Sequence, residues 1–416
     1  MNKNLKILIL VLVIVIVGVV LFLCFKYMNS NVNSEEESSN EMVKPVDIDP
    51  NDSFRISFIK QSNINENFLI SPYSVEIALN MLKEGTNGQT KNEIETLIQS
   101  RKLSLKNEKV KVANAIFMKN DYKQIIEKSY INKLSTNYNA ELLYDDFKEP
   151  DVINNWVKQK TDGMIEKILD SIDQGFVLGL ANAIAIDAKW QIPFECERTL
   201  KQEFTKLNGE KTEVEMMNNN YLNTAKYLDD SDIKGVILPY NEELEFIALL
   251  PNENLYDYIN NLNEKKLDDI INSFKEATKD KRLSLSLPRF KYTFDLENFK
   301  DILISMGIKS VFSEQAADLT SIITKENMNK NSIENIYVDK AIHKTYIDLN
   351  EKGTKAAAVT YFGIARNTAI EDYEIVRIKF NKPFLYIIRD KESKEMLFFG
   401  TVYEPNTWNG STCSNE

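Results

Sequence analysis

The stretch EKGTKAAAVT, residues 351–360, is small, rich in alanine and nearly uncharged, and it follows a run that alternates as a strand does, Ile342–Asn350 (IHKTYIDLN). Alanine favours helix, but Gly353 is a poor helix start. In an extended chain alternate side chains face opposite ways. Thr354, Ala356, Ala358, Thr360 and Phe362 then share one face, and Lys355, Ala357, Val359 and Tyr361 the other. The first face carries no charge. Such a strand can enter a crowded interior, where a single inward charge would cost several kcal/mol. An ordinary exposed loop is under no such restriction.

The composition narrows what this segment can serve. With 416 residues, 43% of them hydrophobic and 27% charged, the chain can bury a large core. A formal charge of −11 leaves no basic stripe to neutralise phosphates, so no nucleic-acid partner is expected. Cys24, Cys196 and Cys413 are too few and too scattered for a disulfide framework, and no structural disulfide is expected. His343 is the only histidine, which removes histidine-rich zinc sites and leaves a Ser/His/Asp triad only one place to stand, inside a strand-like run. Glycine-rich phosphate loops are absent. No enzyme, metal or cofactor is expected.

Residues 7–25 (ILILVLVIVIVGVVLFLCF) form an uninterrupted apolar run long enough to cross a bilayer as a helix. Lys3 and Lys6 precede it and NSEEE follows, so the bulk of the chain is expected outside the membrane. Residues 1–27 read as a signal anchor, with secretion after signal cleavage as the alternative. Residues 28–49 read as an acidic, solvated linker. A folded domain is expected over 50–406, followed by a short tail over 407–416.

Within the domain, Ser71-Pro72 opens a helix over Tyr73–Lys83 that Gly85 closes. Further helices are expected over Gln89–Ile98 and Asp151–Leu169. Strand patterns cover Phe176–Ala188, Gly235–Leu250, Leu283–Tyr292, Ile336–Asn350, Glu374–Phe380, Leu385–Arg389 and Met396–Val402. Helices and strands mix without βαβ repetition. The pattern predicts an α+β fold with mostly antiparallel sheets.

Several stretches, in order, resemble the serpins, a family of serine protease inhibitors: NFLISPYSVEIALNMLKEGTNGQT (67–90), ANAIF (113–117), INNWVKQKTDGMI (153–165), ANAIAIDAKWQIPF (181–194), LPRF (287–290), MGIKSVF (306–312), ADLTSI (317–322), IHKTYIDLNEKGTKAAAVT (342–360), NKPFLYIIRD (381–390) and FFGTVYEPN (398–406). The resemblance implies a serpin fold with an exposed reactive-centre loop. It implies a suicide substrate, whose loop enters the main sheet after a protease cuts it. Glu351, Gly353, Thr354, Ala356, Ala357 and Ala358 match the family's hinge. Ser71, Ser74, Asn182 and His343 match its shutter, and Trp190, Arg289 and Glu351 its breach. The scissile bond is expected at Arg366-Asn367, with Asn367-Thr368 next, in a loop about five residues longer than usual. Arg366 suits a trypsin-like protease; a subtilisin-like protease is the other serine-protease target expected, and a cysteine protease is a further alternative. A monomer without cofactor is expected, and a non-inhibitory surface binding protein on the same fold is the alternative.

Overall fold

The computed structural model describes residues 49, 52–99, 110–173, 175–222, 225–241, 243–278, 280–354 and 373–405. The chain divides into two compact units, Met1–Asp47 and Ile48–Glu416, and every described residue belongs to the second. The expected membrane span 7–25, the linker and the tail after residue 406 lie outside the described residues. Among the described residues no helix is long and apolar enough to cross a membrane.

Helix α1, Pro72–Lys83, starts where the sequence signal sits. Ser71 is its N-cap, the Ser71 Oγ accepts the Ser74 amide at 3.1 Å, and Pro72 occupies the first turn, where an amide has no helical partner. Its end differs from expectation. The cap residue Glu84 is right-handed, and a Cβ on Gly85 would lie 2.5 Å from Ile322 Cγ1, so this glycine serves close packing rather than a left-handed stop. The helix expected over Asp151–Leu169 ends at Lys160, giving α2, Asp151–Lys160. Asp162 and Gly163 turn left-handed at φ +50° and +75°, a conformation that no right-handed helix can continue. Thr161 Oγ1 donates to the Val157 carbonyl at 2.8 Å and accepts the Ile165 amide at 3.1 Å, closing that end.

Two expected strands each hide a break. Gly235–Leu250 is a hairpin of Ile233–Pro239 and Leu244–Pro251, turning at Glu243 with φ +55°. Leu283–Tyr292 splits at Arg289 into Lys281–Pro288 and Phe290–Asp295, which join different sheets. Of Ile336–Asn350 only Lys344–Asn350 is strand. The fold is α+β, and among the described ladders only two are parallel, Lys281–Pro288 with Glu374–Lys379 and Val110–Lys119 with Ala140–Asp145.

A seven-stranded sheet lies inside the domain: every residue of Leu244–Pro251 and of Met396–Val402 is buried. A four-stranded sheet runs Glu374–Lys379, Lys281–Pro288, Lys211–Leu222, Leu200–Thr205. The strands that frame the site, in chain order, are β1 Val110–Lys119, β2 Ala140–Asp145, β3 Leu178–Ile186, β4 Ala188–Lys189, β5 Phe290–Asp295, β6 Lys344–Asn350 and β7 Gly353–Thr354. They form two ladders, β2-β1-β3 and β5-β6-β7-β4. Only Asp187 separates β3 from β4 along the chain.

This arrangement is a sheet joined at one end and parted along the rest. β7 pairs with β6 through Leu349↔Thr354 and Asn350↔Gly353, and with β4 through Gly353↔Lys189 and Thr354↔Ala188. Beyond β7, no described strand pairs the free edge of β3, or the edge of β6 from Lys344 to Asp348. A narrow cavity lined by Leu69, Ile186, Ile347, Thr354, Ile388 and Phe398 lies in the parting. The inward side chains Ile184, Ile186, Ile347 and Leu349 join the main core, while Ala115, Phe117 and Ala183 on the outward side pack under Ile153, Trp156 and Val157 of α2.

Cys196 is disulfide-bonded, which corrects the expectation of no structural disulfide. Sparse spacing along a chain does not limit which cysteines meet in space, so the count alone was insufficient.

Candidate functional site

Below the parted strands, the first turn of α1 ties both halves of the split sheet. Ser71 donates its amide to His343 Nε2 at 3.0 Å and its hydroxyl to the Leu397 carbonyl at 2.6 Å. One turn on, Ser74 Oγ donates to Asn182 Oδ1. Asn182 in turn donates to Asn114 Oδ1 at 2.6 Å, and Asn114 to the Tyr138 carbonyl at 2.7 Å. His343 leads into β6 and Asn182 lies on β3, so one helix terminus holds the two edges that face each other across the parting. Ser71, Ser74, Asn114 and His343 are all buried. The four expected residues thus sit in one hydrogen-bonded group, which must be satisfied throughout or lose stability.

His343 is neutral there. Burial among Phe58 and Phe299 pushes its pKa down to about 4, because an imidazolium cut off from water is disfavoured. Its Nε2 accepts the Ser71 amide, so protonating that nitrogen would remove an acceptor. Ser71 meets the ring through its backbone N–H and spends its hydroxyl on Leu397, so the two do not form a nucleophile and its base. Among the described residues no group of three or more His, Cys, Asp or Glu could hold a metal ion.

At the joined end, Trp190 stacks on Tyr240 with ring centroids 4.4 Å apart and planes inclined by 8°. Its indole donates to the Asn350 carbonyl at 2.8 Å, and its amide to the Lys352 carbonyl at 3.0 Å. Tyr240 OH shares a 2.7 Å hydrogen bond with Thr354 Oγ1. Trp190 therefore grips the turn between β6 and β7 from one side, and Tyr240 holds β7 itself. Arg289, 3% exposed, contacts Glu215 and lies 3.4 Å from Glu351 Oε1, which also accepts Thr199 Oγ1 at 2.7 Å. One buried cation between two carboxylates is a pairing in which losing one partner is costly. Gly353 has φ +144°, and a Cβ on it would meet the Ala188 carbonyl oxygen at 2.1 Å and Lys189 Cα at 2.8 Å. Only glycine fits this passage between β6 and β4.

Of the expected hinge residues, Glu351, Gly353 and Thr354 come together here. Ala356, Ala357 and Ala358, and the expected scissile residues Arg366, Asn367 and Thr368, lie outside the described residues. Sequence reasoning assigned no role to Asn114, Thr199, Glu215 or Tyr240. The similarity of VANAIF (112–117) to LANAIAI (180–186) carried the signal for the first: Asn114 and Asn182 are register partners on β1 and β3. The other three had none, because they come from separate parts of the chain and meet only through the tertiary fold.

The description serpin, serine protease inhibitor, belongs to the family model that matches residues 50–405. Serpin A3-8 of Bos taurus is 29% identical over 385 residues, covering 86% of this chain and 88% of its own length. A relative from Mus musculus that is named as a serine protease inhibitor is 28% identical over 385 residues, covering 85% of this chain and 88% of its own length. The crystal structure of the thermophilic serpin tengpin in the native state superposes with a TM-score of 0.71 at 30% identity, covering 87% of this chain and 96% of tengpin. Where the sequence predicts no enzyme, the matched family description and the name of the mouse relative are those of protease inhibitors. The matched model spans the greater part of the 416 residues, and the chain belongs to the serpin family.

Proposed function

We propose that this protein inhibits a serine protease as a suicide substrate, its reactive loop being cut and then drawn into the parted sheet. The observation that carries the reading is the seat of β7. Thr354 lies between Leu349 and Ala188 at the head of the parting, and extending its two registers takes residues 355–364 down between β6 and β3. In that extension Ala356 falls between Ile347 and Ile186, Ala358 between Thr345 and Ile184, and Thr360 between His343 and Asn182. The uncharged face of the sequence meets the core side, as insertion requires.

New ladder hydrogen bonds contribute about 0.5–1.5 kcal/mol each, while ordering the backbone costs about 1–2 kcal/mol per residue. Side-chain fit therefore decides whether the strand enters. The Ser71–His343 and Ser74–Asn182 bonds act as the closure that must yield, and the Arg289 cluster as the gate at the head. Arg366-Asn367 is the proposed scissile bond, with Asn367-Thr368 next, and a trypsin-like enzyme the first target to try. Residues 7–25 anchor the domain outside the membrane in this reading, and the domain extends over 50–406.

The test is incubation with trypsin-like and subtilisin-like proteases. A denaturant-stable complex, with release of a C-terminal fragment whose mass places the cut after Arg366, is the expected result. Cleavage without a stable complex, and without a higher melting temperature of the cleaved protein, would overturn the mechanism in favour of a non-inhibitory binding protein.

A further inference from the structure

On the outward side of the parting, two carboxylates flank the place next in line after Thr354. Asp348 is the β6 residue adjacent to the Leu349↔Thr354 pair, and Asp187 is the residue adjacent to Ala188 on the other side. Asp348 is buried. Its Oδ2 is 3.6 Å from Lys291 Nζ and accepts Tyr346 OH at 3.3 Å, and its Oδ1 accepts the Asn350 side-chain amide at 3.1 Å. All of these come from β5 and β6, and Asp348 also lines the cavity in the parting. Asp187 is exposed and makes no ion pair among the described residues.

The next residue in the chain is Lys355, the one charge between Gly353 and Phe362. Continuing both registers sets it beside Asp348 and Asp187 together, on the face away from the core. We propose that Asp187 and Asp348 receive the Lys355 ammonium and so fix the register in which the segment 355–364 enters the sheet; this rests on the insertion reading above. Its physical need lies in the sequence that follows. Ala356, Ala357 and Ala358 are identical, and a strand of small, similar side chains specifies its register weakly. A slip of one residue turns Lys355 toward Ile186 and Ile347 in the core. A slip of two keeps it outward but sets it between Tyr346 and Ala185, away from both carboxylates. Only the unslipped register pairs the charge, so Lys355 marks the register the alanines leave open. Opposite charges directly across a ladder stabilise it, and like charges destabilise it.

The experiment uses the full chain and compares Lys355→Glu, Asp187→Lys and their combination. The readouts are the fraction of protein trapped as denaturant-stable complex and the rise in melting temperature on cleavage. Asp187 carries the test because Asp348 also holds Lys291 and Tyr346, so Asp348→Asn would disturb the intact sheet. Each single reversal is expected to lower the ratio of trapped to merely cleaved protein about two- to fivefold, the scale of a partly exposed ion pair. The double variant is expected to recover part of what Lys355→Glu alone loses, because Asp348 still opposes the reversed charge, while all intact forms melt together. Additive losses in the double variant, or single variants that trap as well as wild type, would overturn the pairing while leaving insertion standing. A wild-type protein that gains no stability on cleavage would instead remove the insertion reading itself, and the pairing with it.

Discussion

Replacing Thr354 by arginine tests whether the sheet takes in the strand after Gly353. Thr354 is 5% exposed, and its register partners Leu349 and Ala188 are fully buried. The nearby carboxylates of Glu215 and Glu351 already serve Arg289. A guanidinium at this place is therefore buried without a partner, at a cost of about 4 kcal/mol, and the hydrogen bond between Tyr240 and Thr354 is lost for about 1 kcal/mol more. Together these losses, about 5 kcal/mol, correspond to roughly a thousandfold or more in the inserted population. The arginine stays outside, β7 does not form, and insertion loses its starting pair. The expected outcome is a protein that the target protease cuts and releases: complex on denaturing gels falls below detection, and the cleaved form melts with the intact one. Thr354→Val is the control. It keeps the shape, leaves only the Tyr240 hydroxyl without this bond, and is expected to retain the stable complex. If Thr354→Arg traps protease as well as wild type and still gains stability on cleavage, the inserted strand does not enter through the place Thr354 occupies.

Two further predictions concern the closure and the gate. Because His343 is neutral in the fold with a pKa of about 4, against about 6.5 in the unfolded chain, the unfolded state binds the extra proton first. Its contribution is present in full above about pH 6.5 and is lost as pH falls toward 4, by about 3 kcal/mol over that window; urea titrations of His343→Gln should show a flatter pH profile there, and an unchanged profile would refute it. His343 is the chain's only histidine, so no other imidazole confuses the reading. Gly353→Ala forces a Cβ onto the Ala188 carbonyl and an unfavourable φ of +144°; a melting temperature several degrees below wild type is expected for the intact protein, corresponding to about 1–3 kcal/mol, and a wild-type value would show that β7 is not seated between β4 and β6.

Much of the local structure follows from local chemistry. The cap at Ser71 and the proline after it set the start of α1, and the strand Met396–Val402 has the bounds its apolar run predicts. What periodicity missed were the interruptions: the hairpin turn at Glu243, the change of sheet at Arg289 and the left-handed pair that stops α2 at Lys160. Each is a short backbone turn inside a longer run of strand- or helix-like pattern, so hydrophobic patterning does not register it. The disulfide of Cys196 and the meeting of Glu215, Thr199 and Tyr240 at the gate were equally invisible, since spacing along the chain does not encode distance across a sheet.

By itself the amino-acid order determined which residues near Gly353 are small and uncharged and on which phase of an extended chain the lone lysine falls, because side-chain size and the two-residue period are local properties. Only the tertiary structure decided where Gly353 and Thr354 sit. It takes β4 and β6, brought together from distant parts of the chain, to seat Thr354 and to supply the two registers that the proposed insertion continues.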